Sequence, residues 1–215
     1  MTDFAAARRH MVDGQVRTAD VTDLRVISAM LEVPRERFMP PASVSLSYLD
    51  LDILVGGARR LLRPMVLAKL LQAADVTASD RVLDVGCATG YTAALLARLV
   101  RQVVALEQEA GLAKTARDSL SAESNVEVVS GALAEGWAQG APYDVVVVEG
   151  GTEVVPHALC QQLKDGGRLV CVLRAGPGGK AMLYTRSDGE VSGRPVFDAA
   201  ATLLPGFAKT PVFAF

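Results

Sequence analysis

VLDVGCATGYTAALLA, residues Val82 to Ala97, is an apolar run that passes through a glycine-bearing turn straight into a helical pattern. Its first residues are apolar on both sides, as a strand covered by helices on each face must be. Gly86 and Gly90 permit the tight backbone between strand and helix, and Ala88 keeps any approaching group close. Outward from this stretch the same alternation continues. Short β-branched runs at Gln102–Leu106, Val126–Ser130, Asp144–Val148 and Arg168–Leu173 are separated by helical stretches, which describes a mostly parallel central sheet with helices on both faces. Val145–Val148 and Arg168–Leu173 read as central strands.

Upstream, residues 1–78 read as a helical N-terminal extension, and residues 79–215 as the α/β core of the same single domain. Apolar residues recur at helical spacing, as in Leu24, Ile27, Met30 and Leu31, and again in Met65, Leu67, Leu70 and Leu71. Thr22-Asp23 can cap the first of these helices, Pro34 lies beyond its end, and Pro64 suits the first turn of the next. Between them, Phe38 to Arg63 reads as irregular. Downstream, the loop of Arg174 to Lys180, the run Ala181–Arg186, the turn Ser187–Gly189 and a short run at Pro195–Phe197 predict an antiparallel hairpin that closes the sheet.

Composition narrows the function. Twenty-two Lys plus Arg against 24 Asp plus Glu give a formal charge of −2, so no global attraction draws the chain to nucleic acid or an anionic membrane. Cys87, Cys160 and Cys171 stand apart in apolar surroundings, and with only His10 and His157 there is no metal-ligand spacing. No metal is expected. Free thiols, an early Asp3 and no apolar run of membrane-spanning length suit a soluble cytoplasmic protein.

The carboxyl ends of strands in an open α/β sheet form a ligand crevice, so the turn at Gly86–Gly90 is the candidate site. A dinucleotide and S-adenosylmethionine are the alternatives. Tyr91 fills the third glycine position of the dinucleotide fingerprint and disfavours pyrophosphate, whereas D-x-G-x-x-x-G-Y matches the first motif of S-adenosylmethionine-dependent methyltransferases. Glu107 ends the next strand and can accept hydrogen bonds from both ribose hydroxyls. The plainer alternatives are a mere tight connection and a solvated carboxylate. Asp84 reads as orienting the loop through backbone hydrogen bonds in preference to acid–base work.

The chain resembles the protein-L-isoaspartate O-methyltransferase family over nearly its whole length. Met11–Pro40 is similar to the family's N-terminal helices, Tyr48–Asp50 to its Tyr-x-Asp element, Ala141–Gly151 to its fourth strand, and Val155–Val170 to the following helix and strand. The resemblance implies a Rossmann-like methyltransferase fold and transfer of a methyl group from S-adenosylmethionine to a carboxylate of damaged aspartyl residues in protein repair, leaving S-adenosylhomocysteine. That carboxylate is already ionised at pH 7, so alignment and desolvation suffice and no catalytic side chain is required.

Cofactor contacts are expected from Asp84, Gly86, Cys87, Ala88, Thr89, Gly90 and Tyr91 around the turn, and from Glu107 and Gln108 after the second strand. Ala132, Leu133 and Glu149 complete that set, and Arg59, Arg60, Leu62, Gly150 and Gly151 are expected on the substrate side. Two positions depart from the family. Leu62 stands where a serine hydroxyl holds the isoaspartyl group, and Ala132 stands where an aspartate accepts from the adenine amino group. Arg59, Arg60 and Arg63 read first as an exposed solvated loop, and otherwise as ligands of a substrate carboxylate or another anion. Glu149 reads equally as a substrate contact or a loop-orienting acceptor, and Trp137 as core cover before a stacking platform. Two alternatives remain: a divergent methyltransferase acting on another acceptor such as a small-molecule acid, and a noncatalytic S-adenosylmethionine-binding or interaction module. Sequence is silent on oligomeric state.

Overall fold

The computed structural model describes residues 3–175 and 178–210, so Gly176 and Pro177 of the expected loop lie outside the described residues. The N-terminal part is helical where the apolar spacing places it. Helix α1 (Phe4–Met11) starts at Asp3, whose side chain accepts from Ala6 N at 2.9 Å. Helix α2 (Leu24–Glu32) starts at Asp23, which accepts from Arg25 N at 2.9 Å, and it ends just before Pro34. Both caps satisfy amides that the first turn leaves without a partner.

The segment expected to be irregular contains a small two-stranded sheet. Strand β1 (Ile53–Gly56) pairs antiparallel with β2 (Arg59–Leu61), bringing Ile53 opposite Leu61 and Leu54 opposite Arg60. Strand geometry sends alternate side chains to opposite faces, so Ile53, Val55, Arg59 and Leu61 turn inward while Leu54 and Arg60 face water. Helix α3 (Pro64–Ala74) follows, with its proline in the first turn.

The main sheet has seven strands. Strands β3 (Arg81–Val85), β4 (Gln102–Glu107) and β5 (Val126–Ser130) are joined by α4 (Tyr91–Leu96) and α5 (Ala110–Ser119). Strand β6 (Tyr143–Thr152) leads through α6 (His157–Cys160) into β7 (Leu163–Ala175), and β8 (Gly178–Ser187) and β9 (Glu190–Asp198) complete the sheet. The order is β5-β4-β3-β6-β7-β8-β9, parallel from β5 to β7 and antiparallel thereafter. The chain builds outward from β3 to β5, then returns to the other side of β3 as β6. The crevice between the carboxyl ends of these neighbours is the switch point where open α/β sheets place ligands.

Several elements differ in length from their sequence patterns. Strand β7 begins five residues before Arg168, because the chain bends at Gly166, with φ +75°, and pairs with β6 on both sides of the bend. The helix expected after Val155 shrinks accordingly to four residues.

Side chains of the central strands divide between two cores. Val82, Val103, Val145 and Val147 pack with Met30, Leu67 and Leu70 of the helical layer, whereas Leu83, Val104, Val146 and Val148 pack with Leu159, Cys160 and Phe207. Arg168 joins the layers from β7: Nε donates to Ala74 O at 2.5 Å, and Nη2 donates to Asp75 O and meets Asp80 Oδ2 at 2.8 Å. Among the described residues, no helix is long and apolar enough to cross a membrane.

Leu70 has no exposed surface between α3 and the sheet. Leu70→Ala is expected to lower the unfolding free energy by about 2–5 kcal/mol through lost burial and a residual cavity. Urea denaturation would show a lower midpoint with an unchanged slope; a midpoint equal to wild type would mean the helical layer contributes little to this core.

Candidate cofactor site and its carboxylates

Three buried carboxylates meet at the carboxyl ends of the central strands: Asp84 in β3, Glu107 at the end of β4 and Glu149 in β6. The turn after β3 is bent by three residues of positive φ, Gly86 at +83°, Ala88 at +50° and Gly90 at +97°. Ala88, an unusual left-handed residue, is held there by its N–H, which donates to Glu107 Oε2 at 2.8 Å. At Gly90 a Cβ would lie 2.7 Å from the Leu120 side chain, so close packing and backbone shape both require glycine. Gly86 N and Cys87 N both donate to Leu106 O, at 2.8 and 3.1 Å, which stitches the turn onto β4.

Glu107 is the centre of this network. Its Oε1 accepts from Gln108 N at 2.8 Å and Glu109 N at 3.1 Å, and its Oε2 accepts from Ala88 N and, at 3.1 Å, from Arg59 Nη2. The same Arg59 nitrogen donates to Gly86 O at 2.6 Å. The exposed solvated loop expected for the arginines is therefore corrected for Arg59: its side chain is 3% exposed and Glu107 is 0% exposed. The reason is strand alternation, which directs residue 59 of β2 inward and residue 60 outward. Arg60 is exposed, and Arg63 is half-buried with its Nε on Asp52 Oδ1 at 3.2 Å. Gly86 accommodates the guanidinium as well as the turn, because a Cβ there would lie 2.6 Å from Arg59 Nη2.

The other expected residues fall around this pair. Cys87, Thr89 and Tyr91 are buried; Thr89 Oγ1 donates to Phe38 O at 2.7 Å, and burial holds the Cys87 thiol well above its usual range. Gln108 and Ala132 are exposed, and Leu133 is buried beneath them. Trp137 is half-buried, with its ring 3.4 Å from where a Cβ on Gly131 would lie. Leu62 is buried, and its carbonyl accepts from Arg35 Nη2 at 2.9 Å. Gly150 and Gly151 are placed under the C-terminal segment: Gly151 N donates to Thr202 O at 2.7 Å, Leu204 N donates to Gly151 O at 2.9 Å, and a Cβ on Gly150 would lie 2.6 Å from Leu204. Between Arg59, Leu62, Glu149, Gly150 and Leu204 remains a cavity of about 10 Å³, room for one water at most.

Two contributors escaped the sequence reading. Leu204 comes from an apolar segment without a motif. Arg35, fully buried, donates from Nε to Ser47 O at 2.9 Å and lies over the Tyr91 ring at 4.7 Å, with Nη1 unpartnered. Only its place beside Pro34 marks it in sequence.

The set of acceptors suits a cationic nucleoside such as S-adenosylmethionine. Both Asp84 oxygens and Glu149 Oε1 are buried without a hydrogen-bond donor, and buried unpaired acceptors of this kind favour a positively charged group. Asp84 does not orient the turn through backbone hydrogen bonds, a correction to the sequence reading; its neighbour is Glu149. Burial, and then the charge and hydrogen bond of Glu149, hold the Asp84 carboxyl well above the aspartate range. Burial also raises Glu149, with the Asp84 carboxyl opposing the rise, so of the two Asp84 is the more strongly raised. Folded Asp84 thus binds its proton more tightly than the unfolded chain does. Its contribution to stability is full below about pH 4, the ordinary aspartate range, and is lost as pH rises through the elevated folded value. Asp84→Asn removes that loss, so its stability relative to wild type is expected to climb between pH 4 and 8 in urea titrations. A constant difference across that range would show that no proton is held.

With this geometry in view, comparison with known proteins is direct. The sequence profile of the Protein-L-isoaspartate(D-aspartate) O-methyltransferase (PCMT) family matches residues 6–200. Protein-L-isoaspartate O-methyltransferase 1 of Rhodopseudomonas palustris (strain HaA2) is 39% identical over 171 residues, covering 79% of this chain and 70% of the relative. The protein-L-isoaspartate O-methyltransferase of Pelotomaculum thermopropionicum is 39% identical over 168 residues, covering 77% and 73%. A solved protein-L-isoaspartate O-methyltransferase superposes with a TM-score of 0.81 at 25% identity, over 93% of this chain and 66% of that one. A Plasmodium falciparum structure described as a PCMT in complex with S-adenosyl-L-homocysteine shares the fold, with a TM-score of 0.79 at 16% identity over 95% of this chain and 99% of that one. The chain belongs to the protein-L-isoaspartate(D-aspartate) O-methyltransferase family.

Proposed function

We propose that this protein is an S-adenosylmethionine-dependent O-methyltransferase acting on the carboxylate of damaged aspartyl residues in proteins or peptides. The observation that carries this reading is the strand-end Glu107 locked to the Gly86–Gly90 turn, beside the unpartnered acceptors of Asp84 and Glu149. When bound, S-adenosylmethionine supplies an electrophilic methyl group on a sulfonium centre. Glu107 would hold the sugar hydroxyls, Leu133 would lie against the base, and Asp84 with Glu149 would face the cationic end. Exposed Ala132 cannot accept from an adenine amino group, which leaves that contact to backbone or water.

The chain's own residues then have a limited task. An acceptor carboxylate, with an ordinary pKa of about 4, is ionised at pH 7 and needs no base. Arg60 and Arg63, outside the buried pair, are the cations available to align it. Leu62 offers no hydroxyl to hold it, and a hydrogen bond to a charged group contributes about 1.5–3 kcal/mol. A second reading, a noncatalytic member of the family, draws on this Leu62 together with the occupied Glu107.

Incubation with methyl-labelled S-adenosylmethionine and an isoaspartyl peptide is expected to yield a base-labile methyl ester. Leu62→Ser is expected to raise kcat/KM on that peptide by roughly ten- to a hundredfold, matching the restored hydrogen bond. Cofactor binding without ester formation in either protein would reject the activity and favour the noncatalytic reading.

A further inference from the structure

We propose that Arg59 is an internal latch that competes with the cofactor for Glu107, so that the nucleoside enters only as the Arg59 side chain leaves. The proposal rests on the reading of Glu107 as the sugar-binding carboxylate.

A carboxylate offers about four lone-pair sites, and all four on Glu107 are in use. Three go to backbone N–H groups of Ala88, Gln108 and Glu109, which are fixed by the turn and by the start of α5. The fourth goes to Arg59 Nη2, the one donor of the set carried on a side chain. Hydroxyl donors can therefore reach Glu107 only by replacing Arg59. The same guanidinium nitrogen, held on Gly86 O at 2.6 Å, covers the face of the turn that a ligand must approach.

Charge makes the exchange balanced. Withdrawing Arg59 alone would leave Glu107 buried without a cation, beside Asp84 and Glu149, which is unfavourable. S-adenosylmethionine carries a sulfonium, an ammonium and a carboxylate, a net charge of +1, and so replaces one positive charge by another. Departure and entry are thereby coupled.

The element that carries Arg59 is suited to move. Strands β1 and β2 form a two-stranded sheet of their own, with three paired positions and no ladder to the seven-stranded sheet. Such a pair has little independent stability: Ile53, Val55 and Leu61 pack in the core, but no backbone ladder ties the ribbon to the main sheet. Its turn, Gly57-Ala58, is exposed to solvent. Apparent affinity for the nucleoside is then reduced by the fraction of molecules with the latch withdrawn.

Calorimetric titration with S-adenosylhomocysteine tests this, because that compound lacks the sulfonium charge and separates competition for Glu107 from simple relief of repulsion. Arg59→Gln is expected to bind it at least tenfold more tightly than wild type, a difference of about 1.4 kcal/mol. Binding by the variant alone would equally support the latch. Equal or weaker binding by the variant, with wild type binding, would overturn the latch and leave the proposed function standing. Absence of binding by both folded proteins would overturn both. Should Arg59→Gln fail to fold, a cocrystal of the wild-type chain with S-adenosylhomocysteine decides. Arg59 displaced from Glu107 is expected, and an intact Arg59–Glu107 pair beside the bound nucleoside would overturn the proposal.

Discussion

Three carboxylates gathered at the ends of neighbouring strands, in a space nearly closed to water, must be neutralised for the sheet to close over them. Two devices accomplish this. Arg59 pairs with Glu107, and burial beside Glu149 raises the Asp84 carboxyl toward its neutral form. The rest of the site follows from these two solutions. The hairpin is drawn over the turn because its arginine is needed inside, and Gly86 lacks a side chain where that guanidinium lies. The C-terminal segment and Leu204 then cover the remaining side, over two glycines that allow backbone to pack on backbone.

This arrangement accounts for Leu62, one of the two departures from the family pattern, and for the arginines around it. Leu62 is buried, its carbonyl is held by Arg35, and it lines the small cavity beside Arg59 and Glu149. Arg59 does not join Arg60 and Arg63 in one basic patch. Arg59 is a buried counter-ion, Arg60 is exposed, and Arg63 is half-buried against Asp52.

The sheet was legible because strands covered on both faces are written as short apolar runs rich in β-branched residues, as at Val82–Val85 and Val145–Val148. The helix starts were legible for a local reason: Asp23 and Pro64 act within one turn of themselves. The hairpin was missed although its signal is present, with Ile53, Val55 and Leu61 alternating about the Gly56-Gly57 pair. An arginine at an inward position breaks such a pattern unless its partner is known, and Glu107 lies 48 residues away. Arg35 was hidden for the same reason, since its acceptors come from residues 12 and 27 positions further on. Burial of a charge is decided by tertiary partners, and only the backbone half of the site could be read along the chain.

Arg168 bears on how such a molecule can breathe. By gripping the last carbonyls of α3 and the Asp80 carboxylate from within β7, it rivets the helical layer to the middle of the sheet. A fluctuation that separated those layers would strip one guanidinium of both carbonyls at the end of α3 at once, which makes it far rarer than one that spares them. Compliance is thus left to the rim, where the short β1–β2 ribbon shares no ladder with the large sheet and meets it through the Arg59–Glu107 pair.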